Sequence, residues 1–116
     1  MGQKKVLIHF SKPPFGTAFY NEGLRAALGV TAGVEDNIPT ILFQADSVFY
    51  CLKQVDRTNT KPYFDLFEAY ETKFYAVKED LDEREISEAD LADDIAVIPR
   101  EQALALFYEN DFSMDF

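Results

Sequence analysis

Five stretches of the chain carry apolar residues at strand spacing, and helical patterns lie between them. Val6-Leu7-Ile8-His9-Phe10 is an unbroken apolar run, the pattern of a central parallel strand covered on both faces. Ile38 to Phe43 is a second strand, with Pro39 at its start, where a missing amide does least harm. Phe74 to Val77 and Ile95 to Ile98 are a third and a fourth. At the end, Phe112, Met114 and Phe116 alternate with Ser113 and Asp115, a period of two that predicts a terminal strand.

The segments between them read as helices. After the rigid Pro13-Pro14 pair and Gly16, Thr17 is placed to cap a helix whose apolar face is Tyr20, Leu24, Ala27 and Leu28. Gly33, Glu35, Asp36 and Asn37 mark a turn. Val48 to Lys53 predicts a short helical turn carrying Cys51. Thr60 and Pro62 fit a helix start, followed by the stripe Tyr63, Phe64, Leu66, Phe67 and Tyr70. Glu79 to Asp94 is acidic and predicts a short helix and a loop. Pro99 is expected to open a last helix whose apolar face is Ala103, Leu104, Leu106, Phe107 and Tyr108. Alternating elements of this length define an α/β class: a three-layer α/β/α sandwich with a mainly parallel five-stranded sheet.

Length and composition narrow this further. At 116 residues the chain is expected to be one domain, 1–116. With 47% hydrophobic residues it can build a core. Eleven Phe and six Tyr are more rings than so small a domain hides easily, so some are expected to face a partner subunit. The net charge of −10 argues against nucleic acid and against anionic membranes. No stretch has the length of a membrane span. The single cysteine precludes an intramolecular disulfide and fits a cytoplasmic location.

Candidate chemistry is sparse. Cys51 is the only thiol, a candidate nucleophile or persulfide carrier. Its flanks Phe49, Tyr50 and Leu52 make a buried small hydrophobe the stronger reading. His9, the only histidine, falls near the carboxyl end of the first strand. An acid/base role is open there, but a structural imidazole is favoured. Ser11, Gly16, Thr17 and Asp46 follow the first two strands, at the edge where open α/β sheets bind ligands. Gly16-Thr17 could offer amides to an anion, yet fits no phosphate-loop pattern. Nine carboxylates between Glu79 and Asp94 surround a single Arg84 and lack the calcium-loop spacing, so a solvated acidic face is expected. No metal site and no cofactor are expected.

Ser11, Pro14, Gly16-Thr17-Ala18, Glu22-Gly23-Leu24 and Ala27-Leu28 resemble the first loop and helix of the DsrE/DsrF-like family, closest to the DsrF/TusC branch. The resemblance continues through Ala45-Asp46-Ser47-Val48-Phe49 to the terminal strand, and is poor in the acidic segment. It implies a small α/β domain that works in oligomers. The DsrEFH and TusBCD complexes are heterohexamers that pass sulfane sulfur as a cysteine persulfide, toward sulfur oxidation or tRNA thiolation. It also implies that the relay cysteine lies after the third strand of a DsrE/TusD-type sister subunit. Here that stretch is Phe74-Tyr75-Ala76-Val77, without cysteine around Ala76. Cys51 inherits no role from the family.

The resemblance thus implies a non-catalytic subunit of a sulfur-transfer complex. Its partners would be DsrE-like and DsrH-like sister subunits or further copies of itself, as a trimer or hexamer. Two alternatives stand beside it. One is a sulfurtransferase using Cys51. The other is a homo-oligomeric module binding a small ligand near Gly16 and Asp46.

Overall fold

The computed structural model describes residues 4–13, 19–31, 37–55, 61–69 and 71–116. The capping threonines Thr17 and Thr60, the Gly33–Asp36 turn and Tyr70 lie outside these residues, as do Gly16 and the side chain of Tyr20. Five strands form one sheet: β1 (Lys5–Phe10), β2 (Ile38–Phe43), β3 (Lys73–Val77), β4 (Ile95–Ile98) and β5 (Phe112–Asp115). Their order is β4-β3-β2-β1-β5, and every pairing is parallel. The α/β expectation holds, and "mainly parallel" sharpens to all-parallel. Four helices accompany the sheet: α1 (Phe19–Thr31), α2 (Lys61–Ala69), α3 (Lys78–Glu83) and α4 (Arg100–Glu109). A seven-residue 3₁₀-helix, Ala45–Cys51, follows β2. It starts three residues before the expected turn and ends at Cys51. Among the described residues no helix is long and apolar enough to cross a membrane.

The strand order explains the layering. The chain steps outward from β1 to β4, then returns across the whole sheet to place β5 beside β1. Right-handed crossovers running in opposite directions put their helices on opposite faces. The first face packs Val6, Ile8, Phe10, Ile41, Phe43 and Phe74 against Leu24 and Ala27 of α1 and Phe67 of α2. Its centre is aromatic, with Phe10 stacked on Phe43 at 5.2 Å between ring centroids. Gly23 lets α1 settle here: a β-carbon at this position would lie 2.3 Å from Cε1 of Phe10. That ring is fully buried and has no room to swing away. Gly23→Ala is therefore expected to destabilise the fold by about 1–3 kcal/mol, despite the better helix propensity of alanine. Urea unfolding checks this, and an unchanged or raised midpoint would show that the helix can shift.

Among the described residues the second face is covered by α4. Leu7, Leu42, Val77 and Ile98 pack against Ala103 and Leu106, with Tyr75 and Phe107 at the margin. The expected apolar face of α4 needs correction here. Leu104 and Tyr108 do not join the core; they are 53% and 90% exposed. Helical spacing puts Ala103, Leu106 and Phe107 on one side and Leu104 and Tyr108 on another. One helix also cannot span five strands. Ile38 and Ala96 remain exposed, and Thr40 and Tyr75 are only half-buried. A shallow cavity of about 220 Å³ opens there between the sheet and the end of α4.

Candidate functional site

The loops that leave β3 and β4 diverge. The one after β3 leads into α3, whose Leu81 packs on the first face; the one after β4 leads into α4 on the second. A crevice opened by such divergence at the carboxyl ends of strands is where open α/β sheets commonly bind ligands. In this chain the crevice is spanned by the protein's own charges.

Asp80, three residues beyond β3, is 4% exposed. Its Oδ2 accepts the amide of Ala45 at 2.9 Å, and its Oδ1 accepts Nη2 of Arg100 at 2.5 Å. Arg84 approaches from the end of α3, with Nη1 3.9 Å from Asp80 Oδ1. The same Nη1 donates to the Asp80 carbonyl at 3.0 Å. Arg84 also clamps Asp46, through Nη2 at 2.9 Å and Nε at 3.1 Å. Glu79 accepts the amide of Arg100 at 2.8 Å, satisfying a first-turn donor of α4. That corrects the expected helix start: Pro99 is the residue before the helix, extended at ψ 157°, and Glu79 serves the amide that follows it.

The network ties together the segments after β2, β3 and β4. It also holds Ala45 at φ 51°, a left-handed conformation unusual for a residue with a β-carbon. The carboxylate on the Ala45 amide helps to fix that turn. The expectation of a wholly solvated acidic face fails at Asp80. Burial of a carboxylate is decided by tertiary partners, here two arginines and an amide. The other side chains of the segment from Glu79 to Asp94, Arg84, Ile86, Leu81, Leu91 and Ala92 apart, are exposed as expected.

Of the expected ligand residues, Ser11 and Asp46 are described, and they have different neighbours. Asp46 is engaged by Arg84. Ser11 instead lines a separate cavity of about 230 Å³ with His9, Lys12, Asp115 and Phe116. Its amide donates to the Phe116 carbonyl at 3.0 Å. Gly16 and Thr17 lie outside the described residues. His9 is at the floor of that cavity. Its Nδ1 is 3.0 Å from Asp115 Oδ1, and its ring meets Phe107 edge-on. His9 Nε2 is buried with no hydrogen-bond partner among the described residues. The imidazole thus fastens β5 to β1, as the structural reading expects.

Cys51 is fully buried within the first-face core, at the end of the 3₁₀-helix. The beginning of that helix is held by Ser47, whose hydroxyl lies 2.8 Å from the Phe10 carbonyl and 2.6 Å from that of Gln44. Neighbouring Tyr50 has its phenol pushed up to about 12 by burial, so it stays protonated at neutral pH. At the end of β3, Ala76 and Val77 are both buried, and neither a thiol nor an imidazole joins the Asp80 network. What the arrangement provides is an electrostatic tie between the three loops.

The fold, more than the sequence, has known counterparts. No family model matches the chain, and no curated protein matches it. Two solved structures superpose over nearly its whole length. The ychN protein of E. coli has a TM-score of 0.79 at 19% identity, over 98% of this chain and 99% of its own. MTH1491 of Methanobacterium thermoautotrophicum, a protein of unknown function, has a TM-score of 0.77 at 9% identity, over 98% and 100%. The likeness is one of fold: an α/β domain of the architecture these two proteins share.

Proposed function

We propose that this chain is a non-catalytic subunit of a cytoplasmic sulfur-transfer assembly of the DsrF/TusC type. The half-covered second face of the sheet carries the reading. An all-parallel sheet normally has both faces buried, and here, among the described residues, Ile38, Ala96, Leu104 and Tyr108 remain in solvent beside a single helix. Another subunit would cover them. The non-catalytic part of the reading is supported by the carboxyl edge. The loop after β3 presents Asp80 instead of a thiol, and Cys51 is sealed from any sulfur donor. In this reading the chain shelters a persulfide carried by a DsrE-like subunit, alongside a DsrH-like one or further copies of itself.

Co-expression with DsrE-like and DsrH-like proteins, followed by affinity capture and light scattering, tests the assembly. Co-elution in fixed stoichiometry is the expected result; a monomer indifferent to both would overturn it. Exposure of the purified chain to a sulfur donor, followed by intact-mass measurement, tests the chemistry. Cys51 is expected to stay unmodified, and Cys51→Ser is expected to assemble like the parent. A persulfide on Cys51 would return the active-sulfurtransferase reading.

A further inference from the structure

Helix α4 is apolar on two sides. Ala103 and Leu106 pack on the sheet, while Leu104 and Tyr108 point into solvent. At about 100° per residue, Tyr108 stands roughly 160° around the helix from Leu106. One apolar side holds a surface helix to its own sheet; the other is left for a second surface. The sheet beside α4 lacks such a cover. Among the described residues Ile38, Thr40, Tyr75 and Ala96, on β2, β3 and β4, are exposed or half-buried on this face. Three neighbouring strand axes span about 10 Å, close to the diameter of one helix.

Helix and bare strands match in charge and in shape. The parallel register sets Lys5 beside Ile38 and Lys73 beside Thr40, so two cations flank the bare strands. The exposed charges of α4 are the acids Glu101 and Glu109, whereas Arg100 is bonded to Asp80. Lys5 and Glu109 share the rim of the cavity of about 220 Å³ beside Ile38 and Thr40. A void of about 150 Å³ already takes a benzene ring, so this one can seat a phenol. Because helix and socket belong to the same chain, one two-fold axis satisfies both at once. The net charge of −10 opposes the approach of two copies, but salt screens it beyond about 8 Å at physiological ionic strength, so the pairs at the contact decide.

We propose that a second copy of this chain closes the second face. The helix α4 of each copy lies over the bare strands of the other. Tyr108 enters the partner's cavity, and Glu101 and Glu109 face the partner's Lys5 and Lys73. This dimer rests on the reading of the second face as a subunit contact and names what covers it.

Sedimentation equilibrium of the full chain alone, at physiological ionic strength, tests it. The parent is expected to dimerise. Lys5→Glu with Lys73→Glu makes the strand rim acidic, and Glu101→Lys with Glu109→Lys makes the helix basic. Each pair is expected to raise the dissociation constant at least about tenfold, because like charges then face each other. All four side chains are exposed, so the melting temperatures should stay near that of the parent. An equimolar mixture of the two variants is expected to regain the parent's association as a mixed dimer. In it the acidic rim meets the basic helix, and the other half of the contact is that of the parent. A monomeric parent, variants that dimerise like the parent, or a mixture that stays monomeric would overturn the proposal. Its failure is distinct from that of the sulfur-transfer reading. A parent that is monomeric alone yet joins DsrE-like and DsrH-like proteins overturns only the two-fold dimer. Rescue by mixing, in a chain that binds neither sister protein, keeps the dimer and removes the hetero-assembly.

Discussion

Replacing Asp80 by alanine is expected to lower the unfolding free energy by about 3 kcal/mol. The substitution removes the acceptor of the part-buried Ala45 amide, a loss of roughly 1–3 kcal/mol by itself. It also removes one of the carboxylates facing Arg84, which is 20% exposed and keeps its pair with Asp46. Arg100 moderates the effect, because its side chain is 41% exposed and can recover water. Asp80→Asn should lose less, since an amide oxygen can still accept the Ala45 N–H while the ion pairs go. In thermal melts the alanine variant is expected to fall by roughly 10–15 °C, at about 4 °C per kcal/mol for a domain of this size. A change within about 0.5 kcal/mol, the range of ordinary surface substitutions, would mean that the three loops hold their positions without Asp80.

The second large effect concerns assembly. Joint Leu104→Glu and Tyr108→Glu substitution is expected to raise the dissociation constant of the assembled state by at least about 100-fold. Both side chains are largely in solvent in the single chain, so the fold itself should keep its melting temperature. Exposed aromatic and aliphatic anchors of this kind dominate many interfaces, and a carboxylate in their place would have to be desolvated without a partner. Sedimentation velocity across a concentration series separates the cases. A parent chain that associates and a variant that does not is the expected pair. Identical sedimentation of both would remove α4 from the interface, and a monomeric parent without sister subunits would leave only the hetero-assembly.

How far the sequence reveals this molecule depends on the range of the interaction in question. β2 and β4 run between the expected residues, because continuous apolar runs bounded by polar turns are local signals. β1 gains Lys5, whose amide is held by the side chain of Asp111 from the far end of the chain. α4 shows the limit of periodicity: it contains apolar residues on two sides, and only the width of the sheet beneath decides which is buried. Phe10, Phe43 and Phe67 are fully buried, so part of the aromatic excess goes into the core, while Tyr108 and Phe112 stay outside. Asp80 and Arg100 are the missed pair. Their signal lies in topology: each comes just after one of two neighbouring parallel strands, so strand order alone makes them neighbours. Composition instead placed Asp80 in a run of solvated acids. Cys51 was legible, since its apolar flanks already favoured burial.

The place of β5 has a consequence for biosynthesis. Its partner β1 leaves the ribosome well before β5, and the His9–Asp115 contact joins residues 106 positions apart. Closing a loop of that length is slow compared with the neighbouring β1–β2 and β2–β3 pairings. Until β5 has emerged, one edge of β1 therefore stays open, with its amides and carbonyls unmatched. A nascent chain in that state presents a template for the last strand of another copy. Exchange of β5 between chains translated close together is the misassembly this topology invites.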